Sequence, residues 1–281
     1  MGIDILIKAG QDANASSIEA SGSVQHVITD DERATFLIGD KQLKDAVAAY
    51  FGKAPNDAYV KSPTPWNDLY KTYGWDQVST VLTVESAEIL GVTSQPVIVK
   101  TQEFSNQSSQ KGTFNVAISE TLNNTSTSYW QTGGTLTFGR TISVGIDFVV
   151  GKGSIENSMS YSQSWGIGGT QTKSITVGST SGVTVELDPG ETIIAKLSAS
   201  RGVLKARVRY NAYLTGYVAV NYDPPYKDHH FWALPVADVM KAGGIPNSVK
   251  SVEDMEVGYY SNSKIELVDK DTGTMKSTFY V

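Results

Sequence analysis

Hydrophobic and polar residues alternate along residues 135–165, which read TLTFGRTISVGIDFVVGKGSIENSMSYSQSW. A period of two predicts β-strands. The even positions are apolar before Gly151, except for Arg140, and after Gly153 the apolar residues Ile155, Met159, Tyr161 and Trp165 fall on odd positions. A hairpin that turns around Gly151–Gly153 therefore places both apolar sets on one face. The apolar residues of this hairpin and its tip are Leu136, Phe138, Ile142, Val144, Ile146, Phe148, Val149, Val150, Ile155, Met159 and Tyr161.

The opposite face of the hairpin carries Ser, Thr and Gly with two carboxylates, Asp147 and Glu156. Each arm reaches the roughly 9–11 residues that a transmembrane β-strand needs. One hairpin cannot span lipid alone, because its edges leave backbone groups unpaired, so this interpretation requires several copies that close a barrel. Arg140 then falls near the membrane edge. The same alternation also fits a β-sandwich whose inner face packs on a core, and the pattern alone leaves both interpretations open.

The composition and the hydrophobic pattern of the chain change near residue 92. Residues 1–92 predict a mixed α+β region with two helices. Asp40 is the predicted N-cap of a helix that stops at Gly52, and a shorter helix is capped by Thr64, starts at Pro65 and ends at Gly74. Residues 93–281 are rich in Ser, Thr, Asn and Gly and alternate over long stretches, which predicts a body of long antiparallel strands. A strong turn signal, DPGE, lies at 188–191.

Composition narrows the function classes. The chain has 281 residues, 40% of them hydrophobic, which is enough for a real core. The net charge of −6 and the absence of Lys/Arg clusters argue against a nucleic-acid partner. The chain has no cysteine, which excludes disulfides and thiolate metal sites. The first residues do not form a signal peptide, so we expect either a removed signal or another export route.

The run from Gly145 to Val218 resembles the aerolysin family of β-pore-forming toxins, in particular the epsilon-toxin and mosquitocidal-toxin branch that includes the hydralysins. Three motifs carry the resemblance, which covers about Thr93 to Val220. An apolar tip, FVVG at 148–151, precedes a strand that closes in QSW at 163–165. A Ser/Thr-rich strand leads through VTVEL at 183–187 to the proline turn, and an alternating strand ends in YLTGYV at 213–218.

The resemblance implies a mainly β fold with an elongated body of long antiparallel strands and a small α+β receptor-binding region at residues 1–92. It implies a secreted protein that binds a surface receptor (glycan, lipid or protein), oligomerises, and inserts one hairpin per subunit, here about 135–162, into the target-cell membrane. Phe148, Val149 and Val150 would anchor the tip. Asp147 and Glu156 would face the pore lumen, and rings of carboxylates attract cations.

Four aromatic residues crowd the second predicted helix and its exit: Trp66, Tyr70, Tyr73 and Trp75. They fit the core of a small domain, or a surface for a sugar or receptor, since aromatic side chains give contact area at low entropic cost. The resemblance favours receptor binding. On a helix Trp66, Tyr70 and Tyr73 would share one face.

Three functions remain after these observations. The first is a pore former, the second a carbohydrate-binding lectin-like β-sandwich module without pore activity, and the third a hydrolase. No convergent acid/base pair or nucleophile motif supports the hydrolase, so we expect no enzyme activity and no cofactor. Asp228, His229 and His230 lack a third ligand at suitable spacing, so we expect no metal site.

Overall fold

The computed structural model describes residues 2–132, 138–150, 154–165 and 169–280. Thirteen strands and four helices occur in this part of the chain. In order they are β1 (Ile3–Ala9), β2 (Ser17–Val27), α1 (Asp30–Thr35), α2 (Asp40–Phe51), β3 (Asp57–Tyr59), α3 (Pro65–Tyr73), β4 (Ser79–Ser105), β5 (Gly112–Thr132), β6 (Phe138–Val150), β7 (Ser154–Trp165), β8 (Gly169–Leu187), β9 (Thr192–Thr215), β10 (Tyr217–Tyr226), β11 (His229–Pro235), α4 (Val236–Ala242), β12 (Val249–Asp269) and β13 (Met275–Tyr280).

One large sheet runs through the molecule in the order β7-β6-β1-β2-β4-β9-β12-β5-β8, with β13 on β12. A small sheet has the order β11-β10-β3. The predicted mainly β body of long strands is confirmed. The expectation of purely antiparallel strands is wrong at one place, because β1 pairs with β6 in parallel.

The first helical prediction is confirmed except at its N-terminus. Gly39 is the N-cap of α2 and Asp40 is its first helical residue, so Asp40 does not cap with its side chain. Leu43, Ala46 and Val47 are buried on one face, and Gly52 ends the helix in the left-handed conformation at φ 96°. That conformation costs glycine little, because it has no Cβ.

The second helix lies where it was predicted but is not regular. Thr64 precedes it, Pro65 opens it and Gly74 ends it. Trp66, Asn67 and Asp68 all have φ near 60°, in the left-handed region. The shared helical face predicted for Trp66, Tyr70 and Tyr73 is therefore wrong, because the first of these residues lies outside α-helical geometry.

Strand β4 is the longest strand, with 27 residues. It pairs with β9 along almost its whole length, whereas β2 covers its other edge only at residues 79–83. Its ladder with β9 has irregularities at Val84/Ser86, Ile89/Gly91 and Ile98/Lys100. The backbone of β4 passes without interruption through residue 92, and the functional division at that position stays a prediction.

The buried core has two main parts. The larger lies under β1, β6, β7, β9 and β12 and extends to the helices, and its largest fully buried side chains include Trp165, Tyr210, Tyr222 and Tyr259. A second cluster lies among β5, β8, β9 and β12 and includes Val116, Leu197 and Leu267. The predicted turn at 188–191 is present between β8 and β9, with Gly190 at φ 77°.

Candidate functional site

The predicted hairpin exists in the folded chain as β6, with 13 residues, and β7, with 12 residues. The two strands pair antiparallel, with Ser143 opposite Ser162, Val144 opposite Tyr161 and Ile146 opposite Met159. Leu136 and the turn at 151–153 lie outside the described residues. Phe138, Val150, Ile155 and Glu156 are described only in their backbone, as residues of the two strands.

The inner face of the hairpin, which we define as the face turned to the body, is apolar and buried. Ring packing ties it to β12, since the Phe148 ring centroid lies 5.9 Å from that of Tyr259. Tyr161 is half-buried, and its hydroxyl lies 2.9 Å from Ser126 Oγ on β5. The buried apolar side chains of this face and of the tip are Ile142, Val144, Ile146, Phe148, Val149 and Met159.

The outer face of the hairpin is polar and faces solvent. Ser143, Ser160 and Ser162 are exposed. Asp147 is half-buried on the same face and accepts a hydrogen bond of 2.8 Å from Ser158 Oγ. The hairpin is thus amphipathic in the folded chain, with its apolar side sheltered against the body.

The N-terminal strand attaches the hairpin to the body. Strand β1 runs parallel to β6, from Ile3 opposite Ile142 to Ala9 opposite Phe148, and its other edge pairs with β2. Ile3, Ile5 and Ile7 are buried beside the inner face. Among the described residues β1 is the only strand of the body that shares a backbone ladder with β6 or β7.

The strands on either side of the hairpin in sequence form a second, nested pair. β5 and β8 pair antiparallel from Gly112 opposite Leu187 to Trp130 opposite Gly169. The chain therefore runs β5, β6, β7, β8, with β6–β7 enclosed by β5–β8. These two pairs nevertheless lie at opposite ends of the sheet order.

A polar cluster at the base of the hairpin was missed by sequence reasoning. Glu253 on β12 is completely buried. It accepts hydrogen bonds of 2.6 Å from Tyr210 Oη on β9 and from Gln163 Nε2 on β7. Burial raises the pKa of the Glu253 carboxyl, and hydrogen bonding with Tyr210, Gln163 and Ser128 opposes the rise only in part.

Two tryptophans enclose this cluster. The ring of Trp130 stacks on Tyr210 with centroids 5.5 Å apart, and Trp165 meets both rings edge-on. Burial raises the pKa of Tyr210 well above its ordinary value. The sequence did carry a signal for the cluster, because Gln163 is polar at an apolar position of the hairpin and Glu253 is a carboxylate at an inward position of β12.

The predicted aromatic group is only partly on the surface. Trp66 and Tyr73 are 44% and 51% exposed. The Trp66 ring lies 5.1 Å from Phe231 on β11, and Tyr73 stacks on the partly buried Trp75 at 4.7 Å. We call Trp66, Tyr73 and Phe231 the aromatic surface. Sequence reasoning missed Phe231, which comes from a strand far along the chain.

Tyr70, predicted with these residues as a receptor contact, is instead a core residue at 3% exposure. Its hydroxyl donates towards the carbonyls of Tyr59 and Tyr217, at 2.8 and 2.9 Å. Burial raises the pKa of this phenol well above its ordinary value. The side chain ties α3 to the small sheet and is unavailable to a partner.

Two further findings bear on the site. In the residues that the structure describes, no helix is long and apolar enough to cross a membrane. No cluster of three His, Asp or Glu side chains suited to a metal ion occurs in the described ranges either. His230 Nδ1 lies 2.8 Å from the Tyr222 carbonyl within the small sheet.

The proteins that resemble this chain in sequence or in structure are named as toxins. No family model matches the chain. U-megalopygitoxin(8)-Mc8 of Megalopyge crispata is 35% identical over 256 residues, covering 91% of this chain and 88% of that protein. U-megalopygitoxin(8)-Mo12 of Megalopyge opercularis is 34% identical over 261 residues, covering 93% and 90%. Among solved structures, the parasporin-2 toxin of Bacillus thuringiensis, which recognizes cancer cells, matches with a TM-score of 0.63 at 16% identity, covering 92% of this chain and all of that one.

Proposed function

The chain belongs to the U-megalopygitoxin(8) family and has the aerolysin-like toxin fold, and on that premise we propose that it is a pore-forming toxin that inserts its β6–β7 hairpin into a target membrane. In this proposal the protein is secreted as a soluble molecule and binds a receptor on the target cell. Several copies then assemble, and each contributes one hairpin to a β-barrel that lyses the cell. The proposal contains no catalytic step and no cofactor.

The observation that carries the proposal is the amphipathic hairpin with its apolar face sheltered. Residues such as Ile142, Ile146 and Phe148 are buried against the body, whereas the other face is lined by serines and Asp147. Strands of 13 and 12 residues exceed the roughly 9–11 residues that cross a bilayer as a tilted strand. The sheltered face can exchange protein contacts for acyl chains, and the serine face suits a water-filled lumen.

The nested strand pairs support the same proposal. If the hairpin leaves β1 and moves into line with β5 and β8, the pairing of β6 with β7 is kept. The conversion then breaks the ladder with β1 and the inner-face packing, and it leaves the hairpin itself intact. Copies must associate side by side, because an isolated ribbon would leave backbone groups unpaired in lipid.

The test is permeabilisation itself. We expect the purified protein to release dye from susceptible cells and to leave an oligomer that survives detergent and heat on a gel. Agglutination of cells without leakage would instead indicate the lectin-like alternative and would contradict pore formation.

The aromatic surface is the proposed receptor contact. Trp66 and Tyr73 expose large rings beside Phe231, and aromatic anchors of this kind dominate the energy of many interfaces. The three consecutive left-handed residues 66–68 hold Trp66 outward, and strain of this kind concentrates at functional positions.

Alanine at Trp66 and Tyr73 together is expected to weaken binding to susceptible cells by roughly a thousandfold, since interface anchors contribute about 2 kcal/mol each and about 1.4 kcal/mol is a factor of ten. Binding of labelled protein to cells measures the loss. Dye release from receptor-free liposomes at high dose is expected to stay unchanged. Tyr50→Ala, at a tyrosine of similar exposure on α2, is the control. Unchanged cell binding by the double variant would remove the aromatic surface from the proposal.

The pore is expected to prefer cations. Asp147 lies on the polar face of β6, and Glu156 follows on β7, so a barrel would carry two carboxylates per subunit on the lumen side. Reversal potentials across a KCl gradient measure the preference, and Asp147→Asn with Glu156→Gln is expected to reduce it to near neutrality. Asp188→Asn, at the exposed β8–β9 turn, should leave it unchanged. An anion-selective native channel would contradict the lumen assignment.

A further inference from the structure

Glu253 is a completely buried carboxyl directly beneath the hairpin. Two of its hydrogen-bond donors lie at 2.6 Å, Tyr210 on the body and Gln163 on β7, and Ser128 on β5 also hydrogen-bonds the carboxyl. The indole rings of Trp130 on β5 and Trp165 on β7 close over the same place. When the hairpin is docked, water has no access to this carboxyl, and two side chains of β7, Gln163 and Trp165, are part of what covers it.

The surroundings of Glu253 favour its uncharged form. The titratable groups that face it are Tyr210 from β9 and Tyr161 from β7, and burial raises the pKa of both phenols, so neither bears a charge near neutral pH. The neighbouring Asp254 on β12 is engaged elsewhere, in a salt bridge of 2.6 Å with Arg207. None of the described side chains that hydrogen-bond Glu253 is a cation, and the side chain of Arg140 on β6 is outside the described set. A buried carboxylate without a counterion is costly.

We propose that Glu253 is a proton-dependent lock on the hairpin, which stays docked while this carboxyl is protonated and is released more readily once the carboxyl is ionised. The inference rests on the proposed release of the hairpin and adds a control of its timing. In this proposal Gln163, the polar residue on the apolar side of β7, is the hairpin residue that hydrogen-bonds Glu253.

The direction of the pH dependence follows from linkage. When the hairpin leaves the body, Gln163 and Trp165 move away from the Glu253 carboxyl and water can reach it. The docked state, in which burial raises the pKa of Glu253, therefore binds the proton more tightly than the released state. Stabilisation of docking by the proton is complete below the ordinary carboxyl pKa and is lost as the pH rises through the raised value. Release is thus favoured towards neutral and alkaline pH.

Thiol labelling of the monomer tests the lock without membranes, and the natural absence of cysteine makes any introduced thiol unique. Met159→Cys places a thiol on the buried inner face, and Ser160→Cys places one on the exposed outer face next to it. Reaction with 4,4′-dithiodipyridine is followed between pH 5 and pH 8. The rate at residue 159 divided by the rate at residue 160 reports opening and cancels the intrinsic pH dependence of the reagent.

With Glu253 present, this ratio is expected to rise roughly tenfold from pH 5 to pH 8. With Glu253→Gln, which keeps the shape without the charge, it is expected to be flat. Glu256→Gln, on the opposite face of β12, should retain the native rise. Ala195→Cys in the second core cluster checks that the change belongs to the hairpin, because its labelling should not follow the same profile.

A flat ratio in the native background, or the same rise in Glu253→Gln, would overturn the proposal. The native measurement decides the matter even if the glutamine variant does not fold. Failure of the lock is also separable from failure of the proposed function. A flat ratio in a protein that permeabilises cells removes only the lock, whereas a pH-dependent ratio in a protein that never forms pores removes only the pore.

Discussion

A disulfide that joins residue 4 on β1 to residue 143 on β6 is expected to reduce permeabilisation of susceptible cells by roughly a hundredfold or more, because the bond holds β6 on β1 and uncatalysed disulfide rearrangement takes minutes to hours. Addition of a reductant is expected to restore activity. Strand β1 pairs with β6 on one edge and with β2 on the other, and so connects the hairpin to the rest of the sheet. A covalent bond between β1 and β6 therefore keeps the hairpin docked.

The geometry favours this bond. Asp4 and Ser143 are register partners on adjacent strands, and both are exposed on the outer face. Neighbouring strands lie about 4.8 Å apart, which falls within the Cα separation that a disulfide bridges. The experiment uses Asp4→Cys with Ser143→Cys, oxidised in the monomer and checked by loss of free thiols. Dye release is then measured with and without reductant.

The matched control links the same residue 143 to a different partner. Ser143 and Ser162 are register partners within the hairpin, and both are exposed. A disulfide between cysteines at these positions ties β6 to β7, whose pairing the proposed insertion preserves, so full activity is expected. If the bond between residues 4 and 143 left lysis untouched, release of the hairpin from β1 would be excluded as the route to a pore.

Removal of the Phe148 ring is expected to lower the free energy of unfolding by about 3–5 kcal/mol, the usual cost of truncating a buried phenylalanine to alanine. This side chain lies at the end of the inner face of β6 and packs against Tyr259 on β12. Urea unfolding followed by tryptophan fluorescence measures the loss, because Trp130 and Trp165 lie in the same core.

Ser160→Ala serves as the control for Phe148→Ala, since Ser160 is exposed on the outer face of the same hairpin. A change at such a surface position is expected to stay within about 0.5 kcal/mol. Equal, small effects at both positions would mean that the inner face contributes little to the soluble state. The hairpin would then need no trigger to leave the body.

Local pattern was sufficient to predict the hairpin, both main helices and the proline turn. A period of two and a glycine-flanked tip are sufficient to define two strands and the face they share. The parallel pairing of β1 with β6 could not be predicted in this way. It joins residues more than 130 positions apart, and the alternation of Ile3, Ile5 and Ile7 indicates a strand without naming its partner.

The errors in the predicted site have similar causes. Trp66 and Tyr70 were placed on one helical face because their spacing fits an α-helix, but the left-handed backbone at 66–68 separates them. Tyr70 then enters the core, and Phe231 from β11 takes a place beside Trp66. Glu253 was overlooked because a carboxylate in an alternating strand is ordinarily assigned to the solvent side. Its parity with Met255 and Val257 marks the position as inward, but only the tertiary packing shows the polar partners that Glu253 has there.

The irregular ladder of β4 has a consequence for how copies of the chain meet before they encounter a target. Beyond residue 83 one edge of this strand has no described neighbour in the sheet. A long bare edge is a template for unwanted stacking into fibres. The three irregularities of the ladder and Pro96, which lacks an amide hydrogen, interrupt that template. We therefore expect concentrated solutions of the protein to resist fibre formation, which leaves its strands available for the side-by-side association of the proposed barrel.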